Sequence, residues 1–362
     1  MISPMSYDRW KKLYQDQKFL DFNTDEALLW LKVKAISKKA SMKRFLDQND
    51  IQLTSTKIGD QNKELYAELL KTPKPSMDLL DAFLRDINNE WYRAKGVDEN
   101  LLKNDLYRVD SYEWGGDQNN SLDKYLISHY VKDVSKYDDL ESKLLAIQEN
   151  AWKYVRTSWY NNWTSFLIES VFKHHPKVVS AVGEIKSVDF FIDDTPLDLK
   201  VTRFPDNYMD EKLKVKLGGK KELTWLKQKA KEKGMSIKKE VKTVAVAMEK
   251  ISAAGHDDIL SELRAKRKAV IEDAIVDKKE LMKNLYEKQG EMRFGAENRL
   301  YLILVDSSDM TQSWKMKRAF EQIEPAVISY LDGFTKASLN RIDFTFKDKD
   351  YSSLADVIFV VK

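Results

Sequence analysis

Residues 187–205, SVDFFIDDTPLDLKVTRFP, carry a period-two alternation that suits a pleated strand and that a helix has no use for. The turn formers Asp193, Asp194, Thr195 and Pro196 divide it into two short strands. On the first, Val188, Phe190 and Ile192 point one way, and Asp189 and Phe191 the other. On the second, Leu197, Leu199 and Val201 share a face, while Asp198, Lys200 and Thr202 share the opposite one. If Asp193 and Asp194 form a two-residue loop, Ile192 pairs with Thr195, Phe191 with Pro196 and Phe190 with Leu197. Asp189 then lies across from Asp198. A longer turn shifts that pairing, but any register that aligns the apolar faces keeps both aspartates on one side.

The rest of the chain reads differently. Only 12 glycines and 7 prolines punctuate 362 residues, which favours long helices. Residues 1–145 are expected to form a mainly helical N-terminal domain for target recognition or dimerisation. Thr24 is an N-cap candidate with an acidic first turn behind it. Residues 139–173 predict one long helix or two abutting ones. Trp152, Val155, Trp159, Trp163 and Phe166 fall at spacings of three and four, expected as a core stripe rather than a platform for stacking bases. Strands are expected over 178–185, 188–192 and 197–202. A charged helical insertion follows at about 206–298. The buried run LYLILV at 300–305, a helix at 320–331 and strands at 341–346 and 357–361 close the chain. The order predicts an α/β domain at 146–362, a mixed sheet flanked by helices.

Composition removes several kinds of chemistry. Without cysteine there is no disulfide framework, no thiolate nucleophile and no thiolate metal site. Four histidines give little scope for an imidazole site, and the spacing of a phosphate-binding loop is absent. No apolar run approaches the ~18 residues that span a membrane, and residues 1–10 lack the apolar core of a signal peptide. A soluble, cytoplasmic protein is expected. Net charge is only +3, but residues 200–242 hold 14 Lys plus Arg against 6 Asp plus Glu. Such a segment is either a footprint for nucleic acid phosphates or a solvated lysine-rich helix.

The hairpin carries the chemistry. Side chains paired directly across antiparallel strands have Cβ atoms roughly 4.5–5.5 Å apart. Two carboxylates at that distance repel, and one is pushed toward protonation. A divalent cation between them removes the conflict, and Mg²⁺ takes one or two carboxylates with water and phosphate filling the remainder. An ammonium at Lys200 on the same face orients the attacking water and offsets phosphate charge. Phosphodiester hydrolysis needs those parts.

Asp189 followed by Asp198-Leu199-Lys200 across a hairpin, after a helix carrying Glu169, resembles the PD-(D/E)XK nuclease superfamily, which includes restriction endonucleases. Val188 stands where the motif is written with proline. The motif covers residues 160–205, and the order of elements extends the resemblance to 362. The resemblance implies a restriction-endonuclease-like fold, with Asp189 and Asp198 as metal ligands and the Leu199 carbonyl as a third. It implies Lys200 as the catalytic lysine and Glu169 as a second-metal ligand or a support. Glu184 is a weaker candidate for the same task. Mg²⁺, with Mn²⁺ as substitute, is the implied cofactor.

The expected function is a metal-dependent DNA endonuclease of type II restriction character, acting on double-stranded DNA, with a homodimer for cutting both strands. The alternative is a non-cleaving nucleic-acid-binding or assembly protein on the same fold. RNA or branched DNA as substrate also stays open. At the level of residues the competing reading of Asp189, Asp198 and Lys200 is a surface salt-bridge cluster, and that of Glu169 a solvent-facing helix residue. Asp193 and Asp194 are read as turn residues.

Overall fold

The computed structural model describes residues 6–113, 121–182, 185–288 and 295–362; Glu184 lies outside them. A six-stranded mixed sheet is flanked by helices. Its strands are β1 (Val178–Ser180), β2 (Phe190–Ile192), β3 (Thr195–Arg203), β4 (Arg299–Val305), β5 (Asn340–Phe346) and β6 (Lys349–Val361), in the spatial order β1-β2-β3-β4-β6-β5. The β1–β2, β2–β3 and β5–β6 pairs are antiparallel, and β3–β4 and β4–β6 are parallel. Parallel neighbours need a long crossover. Between β3 and β4 the described residues of that crossover hold five helices, from Asp206–Lys216 to Lys278–Glu287. Between β4 and β6 it holds the helix Phe320–Asp332 and the antiparallel strand β5.

The hairpin register is the one the alternation predicts. Phe190 pairs with Leu197, Phe191 with Pro196 and Ile192 with Thr195. The loop is Asp193-Asp194, with φ of 44° and 60°. Two successive residues in the left-handed region match the twist of a two-residue hairpin, and Asp tolerates that region better than most residues. The strands differ in extent from expectation. β1 and β2 have three residues each, while β6 has thirteen, because a second left-handed pair, Lys347-Asp348, joins it directly to β5.

One face of the sheet packs Phe190, Ile192, Leu197, Leu199, Leu300, Leu302, Leu304, Ile358 and Val360 beneath the helices Leu144–Lys173 and Phe320–Asp332. The opposite face is divided. Val179, Ala181, Val188 and Phe191 pack against the N-terminal helices, and Tyr301, Ile303, Val305, Ala355 and Val357 against the insertion helices. Val188 therefore leaves the face of Phe190 and Ile192, because the chain bends at Asp189 before the strand begins. The buried Lys32 ties the N-terminal helices to the hairpin turn, pairing with Asp81 at 2.7 Å and Asp194 at 2.5 Å. Arg85 donates to the carbonyls of Pro176 and Val178, each at 2.7 Å.

The aromatic stripe meets expectation at Trp163 and Phe166, which pack against the core, and departs from it in its first half. Trp152 and Val155 are 62% and 51% exposed, and Trp159 is also exposed. The helix Leu144–Lys173 packs on the sheet through a different side of its C-terminal half: Tyr160, Leu167, Ile168 and Phe172. At ~1.5 Å per residue a thirty-residue helix is ~45 Å long, more than twice the ~20 Å of a typical strand. Its first half runs past the core. Residues 244–248, ambiguous in sequence, belong to the helix Val244–Ala253. Thr24 caps its helix as expected, accepting from the Ala27 N–H.

Candidate metal-nuclease site

The short β2 strand and the longer β3 bring the hairpin acids together. Asp189 stands one residue before β2, where two backbone hydrogen bonds still hold it. Its N–H donates to the Leu197 carbonyl at 2.9 Å, and its carbonyl accepts from Ala181 at 3.0 Å. Its carboxylate reaches across the hairpin, where Oδ2 accepts the Leu199 N–H at 2.8 Å. Asp198 is 4% exposed. Its Oδ1 accepts from Lys200 Nζ at 2.9 Å and its Oδ2 from Arg299 Nε at 3.2 Å. The Lys200 side chain is 47% exposed, so its ammonium meets solvent while the acid it pairs with does not.

The electrostatics follow from this geometry. Burial and then the neighbouring charge of Asp198 push the Asp189 carboxyl up to about 6. Glu169 adds to the rise, and the Leu199 N–H and Lys200 oppose it. Asp198 is salt-bridged to Lys200 and Arg299, and the carboxylate at the centre of that cluster is buried. Asp189 and Asp198 are two desolvated carboxylates in mutual repulsion, a donor set of hard oxygens that fits Mg²⁺.

Asp189, Asp198, Leu199 and Lys200 thus come together, whereas Glu169, near enough to act on Asp189, is paired on its own helix. Its Oε2 accepts from Lys173 at 2.6 Å on its own helix, and it acts on Asp189 only through the field. Asp193 and Asp194 occupy the turn. Among the described residues no group of three or more His, Asp or Glu side chains is placed to hold a metal ion. Any such ion would rest on two carboxylates and a carbonyl, with water or phosphate completing its shell.

Two residues of this site escape a reading of the hairpin alone. The parallel register sets Arg299 beside Asp198 and Tyr301 beside Lys200. Arg299 is 3% exposed and pairs both with Asp198 and, through Nη2 at 2.8 Å, with Glu297. Their one signal in sequence is a charge abutting the apolar run at 300–305. The Tyr301 hydroxyl is buried beside the Arg299 guanidinium.

The lysine-rich insertion spends much of its charge internally. Lys216 pairs with Asp273, Lys229 with Glu262 and Lys233 with Asp258, all on the helix Asp257–Val276, and Lys212 pairs with Glu280. No described helix is long and apolar enough to cross a membrane. Comparison of the chain with models of known protein families, with curated proteins and with solved structures finds no match.

Proposed function

We propose that the chain is a Mg²⁺-dependent DNA endonuclease on a restriction-endonuclease-like sheet, with Asp189 and Asp198 holding the ion. The observation that carries this reading is the pair of desolvated acids on a tight hairpin, beside a lysine that reaches solvent. The chemistry an ion supplies when bound there is acidification of a water and polarisation of a phosphoryl oxygen. The chain's own residues do the remainder. The Leu199 N–H fixes the Asp189 carboxylate on the hairpin, so its rotamer is set before any ligand arrives. Asp198 holds the Lys200 ammonium at the sheet surface. There the ammonium neutralises the scissile phosphate and orients the attacking water. Type II restriction character, double-stranded substrate and a homodimer belong to the same proposal.

A second reading, nucleic-acid binding without cutting, is favoured by one observation: both oxygens of Asp198 already accept from cations. A supercoiled plasmid incubated with Mg²⁺ or Mn²⁺ separates the two. Nicking or linearisation is expected, with a loss of at least ~10²-fold in Lys200→Ala and in Asp198→Asn. Asparagine is preferred to alanine at 198 because it leaves Arg299 a hydrogen-bond acceptor. Cutting that survives both changes in folded protein overturns the assignment. Salt-sensitive binding with no cutting in either metal selects the second reading.

A further inference from the structure

We infer that Arg299 is a positioning residue that restricts the site to a single divalent cation, by filling with its guanidinium the place between Asp198 and Glu297 where a second ion would lie. The inference rests on the nuclease reading and deepens it.

Two-metal phosphodiesterases hold their ions about 3.5–4 Å apart. A second ion on Asp198 therefore has to draw on the oxygen the first leaves over. Asp198 Oδ2 is held by Arg299 Nε at 3.2 Å, and the guanidinium continues through Nη2 to Glu297 Oε2 at 2.8 Å. Glu297 is thereby a further carboxylate of the neighbourhood, and it is bridged to Asp198 by an arginine instead of a metal.

The guanidinium is not a mobile counter-ion. Its side chain is 4% exposed. It lies 5.0 Å from the centroid of the Tyr286 ring, which adds a cation–π contact. Arginine stays protonated at every working pH, so this positive charge cannot be titrated away. Lys200 differs in each respect, with a side chain nearly half exposed on a flexible stem. Among the described residues the remaining nearby acid, Glu169, is engaged by Lys173. Among the same residues one cation place is left, on the Asp189 side of Asp198, where an ion would take the Oδ1 that the half-exposed Lys200 ammonium occupies.

The test counts metal rather than turnover. Bound Mn²⁺ is measured on the full chain by electron paramagnetic resonance of the free ion, and Ca²⁺ by calorimetry. One ion per wild-type chain is expected, lost in Asp198→Asn. Arg299→Met leaves Asp198 and Glu297 facing each other and is expected to take up two, with the spin coupling of a manganese pair. The double variant Glu297→Gln/Arg299→Met is expected to return to one. If Arg299→Met does not fold, Arg299→Gln, which keeps a donor for Asp198 but carries no charge, is expected to hold two in its place. Two ions in the wild type, or one in both folded single variants of Arg299, overturn the inference and leave the nuclease reading standing. A wild type that binds no ion, or binds one unchanged by Asp198→Asn, overturns both.

Discussion

At the scale of single residues, Asp189 governs how the protein answers pH. Its carboxyl titrates near 6 in the folded chain because burial and Asp198 oppose its charge, against ~3.9 in an unfolded one. The folded state binds the proton more tightly. This group's contribution to stability is therefore fully present below about 4 and is lost as pH rises through about 6. In metal-free protein the urea midpoint should fall between pH 4 and pH 6 and change little above, as far as this residue decides it. Asp189→Asn keeps an acceptor for the Leu199 N–H and removes the charge. It should flatten that slope and stabilise the metal-free chain near pH 8 by on the order of 2 kcal/mol. Metal uptake runs the other way, since proton and cation compete for one carboxylate, so Mn²⁺ affinity should weaken as pH drops through 6. Urea midpoints of wild type and Asp189→Asn that run parallel across that window reject the desolvated pair. Asp189, Asp198 and Lys200 were legible because strand alternation is local. Arg299 was not, because its place beside Asp198 depends on a register between strands a hundred residues apart.

At the scale of elements, the hairpin turn separates two aspartates that look alike in sequence. Both adopt left-handed φ, where glycine is at ease. Among the described residues Asp193 pairs with Lys177 alone, at 3.8 Å and with its own side chain about half exposed, a pair worth little. Asp193→Gly is therefore expected to be neutral or to stabilise by about 0.5 kcal/mol. Asp194→Gly gains the same backbone relief but strips a partner from Lys32, whose side chain is fully buried. Leaving a buried charge short of a partner costs more than relief at one residue gains, so a net loss of about 1–2 kcal/mol is expected, read from denaturant midpoints. Equal effects of the two substitutions would show that Lys32 does not depend on the turn. The turn was readable because two-residue loops permit few backbone shapes. The first half of the stripe, Trp152 to Trp159, was misread because periodicity reports that a helix has an apolar face, not whether a neighbour covers it; Trp163 and Phe166 do pack against the core. Here the sheet ends before the helix does.

At the scale of the whole molecule, the expected boundary at 145/146 falls at the second residue of the helix Leu144–Lys173, and the buried cores cross it. Val179, Ala181, Ile185, Val188 and Phe191 share one apolar cluster with Trp10, Leu28, Trp30, Phe45 and Phe83. Leu102, Leu106 and Val109 join the cluster beneath the other face. The N-terminal helices therefore act as the missing second layer over β1 and β2, since a sheet face must be buried against something. A fragment of residues 146–362 exposes Val188 and Phe191, within two residues of Asp189 on either side, and loses Lys32 and Arg85 from the turn and from β1. Fully burying side chains of this kind is worth roughly 1.5–3 kcal/mol each, so losing several consumes most of the 5–15 kcal/mol that holds a protein folded. The fragment should lose cooperative thermal unfolding and Mn²⁺ binding together, even though it retains Asp189, Asp198, Leu199 and Lys200. Calorimetry and metal titration on the two lengths of chain decide this. A fragment that melts cooperatively and binds the ion as the full chain does makes the N-terminal helices an appendage, and the hairpin self-sufficient. Sequence could not show the dependence, because hydrophobic patterning marks a face as buried without naming the element that buries it.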